Sequence, residues 1–111
     1  MNTQTDHDLP LACNLLALEP DVRAAHLESA TQLLCSAAAE VIELPDGYAF
    51  RYRADQYEQV VQFIANERRC CPFFTFGLEV TPAHGPLWLR ITGNEAVKGF
   101  IQGEFGQCSC S

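Results

Sequence analysis

The feature that most constrains the fold is a strand–turn–strand–helix pattern that occurs twice in the chain. In the first copy, two short strand-like runs flank a Pro-Asp-Gly turn at 45–47, and the second run alternates aromatic with small or charged residues. In the second copy, residues 74–91 alternate in the same way around a turn that contains Pro, Gly and Pro. Each hairpin leads into a helical stretch with a Phe-Ile pair, at 63–64 and at 100–101. The chain is therefore predicted to contain two antiparallel hairpins, and the two copies resemble a repeated hairpin-helix unit.

Three segments have the features of helices. The first runs from Asp21 to about Val41 and has a broad apolar stripe, which consists of Val22, Ala25, Leu27, Ala30, Leu33, Leu34, Ala37 and Ala38. The second covers 55–70, with Asp55 as its N-cap and Pro72 as its stop, and its expected apolar face carries Tyr57, Val60, Val61 and Ile64. The third covers 95–102. These elements predict an α+β fold, a four-stranded antiparallel sheet with about three helices covering one face.

Length and charge narrow the class of protein. A chain of 111 residues suits one domain, and we expect a flexible tail at 1–10, a single α+β domain at 11–105 and a cysteine-containing tail at 106–111. The net charge of -7 argues against nucleic-acid or anionic-membrane partners, which need Lys and Arg. Neither a signal peptide nor a membrane span is recognisable, so a cytoplasmic location is expected. Cytoplasmic thiols stay reduced, which predicts that the six cysteines are free thiols or ligands rather than a disulfide framework.

Two adjacent cysteines, Cys70 and Cys71, stand at the predicted end of the second helix. Successive helical side chains diverge by about 100°, so a bond between these two sulfurs would be strained. A helix C-terminus also disfavours thiolate, whereas a bound cation favours it, so metal binding fits the position better than thiol catalysis. Whether Cys71 is a ligand or a core residue is left open.

The remaining cysteines differ in their surroundings. Cys108 and Cys110 form a C-x-C motif in a segment with little core to fill, and Cys13 could either pack beside leucines or face the other thiols. Cys35 is expected to be a buried hydrophobe in the first helix. A vicinal pair with a C-x-C motif suits soft ions such as copper(I), mercury(II), cadmium or zinc better than the usual zinc pattern of two C-x-x-C knuckles does.

The other titratable groups give weaker signals. His7, His26 and His84 have no helical pairing and are expected to be solvated surface residues. Glu67 is close to the vicinal cysteines and could serve as an acid, a base or a hard ligand. Pairing with Arg68 or exposure to solvent is the more ordinary expectation for it.

Several motifs together resemble a known family. LACNL, ERRCCPFFTF, the strand GPLWLRITG and the terminal C-x-C are similar to segments of small, uncharacterised bacterial proteins with ACxL and ERxCCPF motifs, over about residues 11–105. Members of this family look like accessory proteins of heavy-metal, particularly mercury, resistance. The resemblance implies no particular activity. It does favour Cys13 joining Cys70 and Cys71 in one site, and it makes Glu67 and Pro72 part of the core motif.

The sequence thus predicts a cytoplasmic protein that binds a soft metal ion as a scavenger, carrier or sensor. The expected ion is zinc, copper(I) or mercury(II), and the predicted ligands are Cys13, Cys70, Cys71, Cys108 and Cys110. A homodimer is a further possible assembly. One alternative is a thiol-dependent lyase or reductase that uses the vicinal cysteines with Glu67. The other is a small protein-interaction module in which the cysteines are incidental.

Overall fold

The computed structural model describes residues 14–106, with side chains described up to 103. The predicted tail at 1–10 and the cysteines Cys13, Cys108 and Cys110 lie outside the described residues. Within them the order of elements is α1 (Pro20–Thr31), a π-helical segment (Gln32–Ala37), β1 (Glu40–Leu44), β2 (Gly47–Tyr52), α2 (Tyr57–Cys70), β3 (Thr75–Val80), β4 (Leu87–Thr92) and α3 (Glu95–Gly106). A single 3₁₀ turn, Leu15–Ala17, precedes α1.

The strands form one antiparallel sheet in the order β1-β2-β4-β3. The second strand of each hairpin lies in the centre, where Phe50 of β2 faces Leu89 of β4. Leu89 in turn faces Leu78 on the edge strand β3. The predicted α+β fold, with a four-stranded antiparallel sheet and three helices, is confirmed. Each hairpin is followed by a helix, which is the arrangement that a repeated hairpin-helix unit would give.

The main core lies between one face of the sheet and the helices. Alternating residues of the two central strands point into it, as their period of two predicts. Full burial of one such side chain stabilises the fold by roughly 1.5–3 kcal/mol. The buried members of this core are Leu33, Tyr48, Phe50, Tyr52, Val60, Phe63, Leu87, Leu89, Ile91, Val97 and Ile101.

The first helix ends earlier than predicted, and its buried face is narrower than predicted. It does not extend to Val41, because Val41 belongs to β1 and pairs with Phe50. The ladder hydrogen bonds of an added strand and the β-branched Val41-Ile42 pair favour extended backbone there. The stripe is also narrower than predicted, since Leu27 is 46% exposed and His26 is the buried residue of Pro20–Thr31.

The second helix begins two residues later than predicted, after a 3₁₀ turn at Ala54–Gln56. Asp55 is not its N-cap, because the Asp55 carboxylate pairs with Arg53 Nε at 3.1 Å. Gln56 is the N-cap residue instead, and its side-chain oxygen accepts a hydrogen bond from the Arg53 N–H at 2.9 Å, which closes the preceding 3₁₀ turn rather than capping α2.

The buried face of α2 is also rotated from the predicted one. Tyr57 and Val61, which were expected on the apolar face, are 45% and 38% exposed. The residues that α2 buries are instead Val60, Phe63, Asn66, Glu67 and Cys70. Spacings of three and four place these residues on one side of the helix, so the face that meets the core carries a carboxylate and a thiol.

One buried hydrogen bond ties the π-helical segment to the sheet. The hydroxyl of Tyr52 donates to the carbonyl oxygen of Leu33 at 2.8 Å. We expect Tyr52→Phe to lower the free energy of unfolding by about 1–2 kcal/mol, because the Leu33 carbonyl is then buried without this donor. Tyr57→Phe is the matched control on an exposed ring and should change stability by less than about 0.5 kcal/mol. Urea unfolding measures both, and equal losses would contradict the assigned role of the hydroxyl.

Candidate metal centre

Three chemically reactive side chains meet where the C-terminal end of α2 packs against α1. Cys70 is the last residue of α2, and Glu67 lies one turn before it on the same face. His26 comes from the side of α1 that packs against α2. The site is thus held by two helices rather than by loops, and its geometry follows from helix packing.

The donor atoms are close together and shielded from water. One donor atom each from His26, Glu67 and Cys70 lies within 4.8 Å of the other two. His26 Nε2 and Glu67 Oε2 are 2.6 Å apart, which is a short hydrogen-bonded pair. The exposed fractions of His26, Glu67 and Cys70 are 3%, 8% and 0%. The imidazole ring also stacks on Phe63 with a centroid distance of 5.6 Å, which limits its rotation.

The surroundings of Cys70 keep its thiol protonated. Burial raises the pKa of Cys70 to about 11, and the Glu67 carboxylate pushes the pKa in the same direction, while Arg69 opposes the shift only in part. Among residues 14–106, Cys70 carries a free thiol. A divalent cation at this position would replace the thiol proton and favour the thiolate form of Cys70, because it supplies the positive charge that the site lacks.

A groove opens beside His26. It lies between α1 and α2, has a volume of about 440 Å³, and His26 and Phe63 form part of its wall. The second ring nitrogen of the histidine, His26 Nδ1, is buried and has no hydrogen-bond partner among the described residues. Buried polar atoms without a partner are uncommon in folded proteins and point to a ligand or a functional role. His26 is therefore only half satisfied by its contact with Glu67.

The donor set fits a tetrahedral ion with small adjustments. Bonds of about 2.0–2.3 Å from zinc to N, O and S ligands place neighbouring donors roughly 3.3–3.8 Å apart. The His26–Glu67 pair at 2.6 Å would have to widen by roughly 0.7–1.2 Å to admit the ion, and the 4.8 Å limit on the other separations allows them to contract. One imidazole, one carboxylate and one thiolate form a mixed set that suits zinc, and the thiolate also suits softer ions.

The two vicinal cysteines are not arranged as successive helical residues. The backbone leaves the helix at Cys71, where φ is -130° and ψ is 74°, and the two Sγ atoms lie 3.6 Å apart. The expected divergence of about 100° between the side chains is therefore wrong, because α2 ends at Cys70. Cys71 is 1% exposed and takes part in a disulfide bond. Its role as a metal ligand stays a prediction for the reduced protein.

Two expectations about the cysteines need correction. Cys35 was expected to be buried, but it is exposed. Residues two apart in a helix point to nearly opposite sides, so the burial of Leu33 leaves Cys35 outside. Cys35 and Cys71 are each disulfide-bonded, so the expectation that every cysteine is a free thiol or a ligand is also wrong for these two. The roles predicted for Cys13, Cys108 and Cys110 fall outside the described residues.

The sequence interpretation missed His26 and misassigned Glu67. His26 was expected at the surface, yet it lies four residues after Val22 and seven before the buried Leu33. That spacing on one helix face was the available signal. Glu67 was expected to pair with Arg68 or with solvent, but it is buried against His26. Its position four residues after Phe63 placed it on the inner face of α2.

The raised pKa of Cys70 predicts an unusual pH dependence of thiol alkylation. At pH 8 the thiolate fraction of a thiol with a pKa near 11 is about 100-fold lower than that of an ordinary thiol near 9. Alkylation of Cys70 in the folded, metal-free protein should therefore be at least that much slower than in the unfolded chain, and should accelerate as the pH approaches 11. Pulse alkylation followed by tandem mass spectrometry reports the rate, and equal rates in the folded and unfolded forms would contradict the assignment.

The raised pKa of Cys70 also makes the stability of the fold depend on pH. The pKa of Cys70 rises from 9.0 to about 11 on folding, so the unfolded chain loses this proton at lower pH. The contribution of the buried thiol to stability is complete below about pH 9 and is lost as the pH rises toward 11. The phenol of Tyr52 shifts in the same direction through burial, which raises its pKa and adds to the loss at high pH.

Comparison of the chain with protein-family models, with curated proteins and with solved structures gives no match. Within residues 14–106, none of the helices combines the length and the apolar run that crossing a bilayer requires. The function therefore has to be argued from the residues of the site.

Proposed function

We propose that the protein binds one thiophilic metal ion through His26, Glu67 and Cys70, and that it acts as a metal scavenger, carrier or sensor. The observation that carries this proposal is the convergence of three different donor atoms within 4.8 Å in a buried position. Buried histidine, carboxylate and thiol groups are costly to place together unless they are paired or bind an ion. The His26–Glu67 contact pairs only two of the three groups, and an ion between the donors would engage the third, Cys70, as well.

The identity of the ion follows from the donor chemistry. One thiolate, one imidazole and one carboxylate make a zinc-type set, and the thiolate extends the range toward mercury(II) and copper(I). A role in heavy-metal resistance, as the sequence resemblance implies, is part of the proposal. Three protein ligands leave room for a fourth, and an ion held in this way can be transferred by ligand exchange, which a carrier needs.

Further sulfurs at the site are also proposed. Cys13, Cys108 and Cys110 would add ligands when the ion is a soft one that prefers several thiolates. Support for Cys13 comes from its chain neighbour Asn14, whose backbone N–H donates to the carbonyl oxygen of Cys70 at 2.6 Å. Asn14 is therefore held beside the metal centre.

The test is a titration of the protein with zinc, mercury(II) and copper(I) by equilibrium dialysis. We expect one tightly bound ion, and a loss of affinity on the order of 100-fold in His26→Gln, because one of three ligands is removed. His84→Gln is the matched control, since His84 is an exposed histidine in the turn between β3 and β4. Circular dichroism checks that both variants fold. No stoichiometric binding, or equal affinities in the two variants, would refute the proposal.

The alternative of a thiol-dependent enzyme is favoured by one observation, the groove of about 440 Å³ beside the buried His26–Glu67 pair. A histidine hydrogen-bonded to a carboxylate next to a groove is a familiar arrangement for proton transfer. The raised pKa of Cys70 argues against this alternative, because a nucleophilic cysteine needs a lowered pKa. Metal binding is therefore the better supported function.

A further inference from the structure

We propose that Cys71 is a redox-controlled fourth ligand of this metal centre, which joins the site when its disulfide bond is reduced. The inference rests on the proposed metal site and adds its regulation. In the oxidised protein the site offers His26, Glu67 and Cys70, with a single thiolate. In the reduced protein it offers the same three donors and the Cys71 thiolate.

The distance between the two sulfurs carries the proposal. Cys70 Sγ and Cys71 Sγ lie 3.6 Å apart. Two thiolates bound to one tetrahedral ion, each at about 2.3 Å, are separated by roughly 3.8 Å. The break in the helix after Cys70 therefore leaves the two sulfurs within about 0.2 Å of the separation that a shared ion requires.

The surroundings of the two sulfurs also fit an enclosed metal site. Cys70 and Cys71 are almost completely buried together with Leu18, in a small cluster separate from the main core. The apolar side chains that pack against this cluster are Leu15, Ala17, Val22, Phe73 and Phe74. An apolar shell excludes water and strengthens the attraction between a cation and its thiolates. The Arg69 side chain donates a hydrogen bond to the Ala17 carbonyl oxygen at 2.8 Å, which ties the segment before α1 to the end of α2.

The redox step balances with an external thiol reductant. Two thiols of the reductant give up two electrons and two protons and become a disulfide, while the disulfide that contains Cys71 becomes two thiols. A metal ion then displaces the protons of Cys70 and Cys71 as both sulfurs bind it. A disulfide oxidant reverses the sequence: it takes up two electrons and two protons and becomes two thiols, the disulfide of Cys71 forms again, and one sulfur leaves the ion. The site is therefore expected to hold its metal more tightly under reducing conditions than in the oxidised protein.

The experiment compares cadmium binding by the oxidised and the reduced protein, with the reductant removed under argon before titration. Thiolate-to-cadmium charge transfer in the ultraviolet grows with the number of sulfur ligands. We expect the intensity per bound ion to rise on reduction by the contribution of at least one thiolate, with roughly a 10-fold gain in affinity. Cys71→Ser should lack this gain. Cys35→Ser, which removes the other described disulfide cysteine, should keep it.

The outcomes separate the two proposals. An absence of cadmium binding in both redox states would overturn the metal site itself. Binding that is the same in both states, or a gain on reduction that persists in Cys71→Ser, would overturn only the role of Cys71. Cys71→Ala is a second variant, for use if the polar serine perturbs folding, because alanine keeps this buried position apolar. The expected result for Cys71→Ala is the same.

Discussion

Replacing His26 with leucine is expected to lower the free energy of unfolding by about 3 kcal/mol, because the carboxylate of Glu67 is then buried without its partner. The double variant His26→Leu/Glu67→Leu should recover stability to within about 1 kcal/mol of the wild type, since well-packed apolar residues often replace a buried pair without loss. Metal binding should be absent from both variants. Urea unfolding at neutral pH, with and without zinc, measures these effects.

An exposed ion pair provides the matched control for this experiment. Arg51 and Glu40 lie on adjacent strands with an N–O distance of 3.1 Å, and their side chains are 38% and 48% exposed. Removing either charge should cost less than about 1 kcal/mol. A double variant at His26 and Glu67 that is as unstable as the single variant would mean that the buried pair serves the fold. Recovery of stability with loss of metal binding would mean that it serves the site.

The second large effect is expected for Cys70→Ala. Removing the thiol takes away the sulfur ligand, so the zinc affinity should fall by on the order of 100-fold or more. The stability of the metal-free protein should fall by only about 1–2 kcal/mol, because the substitution removes a single buried atom. Competition with a chromophoric zinc chelator measures the affinity. A large loss of zinc affinity with a small loss of stability identifies Cys70 as a ligand rather than a packing residue.

The control for Cys70 is Cys35→Ala, studied under reducing conditions. Cys35 is exposed on the π-helical segment and is not one of the three donors. Its substitution should leave the zinc affinity within about twofold of the wild type, as expected for surface changes away from a site. An equal loss of affinity in Cys35→Ala and Cys70→Ala would contradict the assignment of Cys70 as the sulfur ligand.

The sheet was predictable because its signals are local. Alternation of apolar and polar residues around the Pro-Asp-Gly turn specified β2, and the same pattern specified β3 and β4. The end of the first helix was not predictable in this way. The helix signal and the strand signal overlapped near Val41, and the hairpin pairing of Glu40–Leu44 with β2 decides that Val41 belongs to the strand.

Prediction of the site failed where helix packing decided the outcome. The motif around Cys70 and Glu67 drew attention to the correct end of α2, since both residues belong to the ERxCCPF segment. His26 was overlooked because it is a single polar residue on a helix whose apolar character is weak, with no other residue of Pro20–Thr31 fully buried. The face of α1 that packs against α2 is set by the packing of the core as a whole and not by the local sequence of α1. Disulfide formation at Cys35 and Cys71 is likewise not predictable from cysteine spacing alone.

X-ray absorption at the zinc edge, on the protein loaded with one equivalent of zinc, tests the central claim most directly. The account predicts a mixed first shell, with one or two sulfurs at about 2.3 Å and nitrogen and oxygen ligands at about 2.0–2.2 Å. His26→Leu should lose the imidazole scattering from this shell or fail to bind zinc. A shell made of sulfur alone, or a shell without sulfur, would contradict a metal centre built from His26, Glu67 and Cys70.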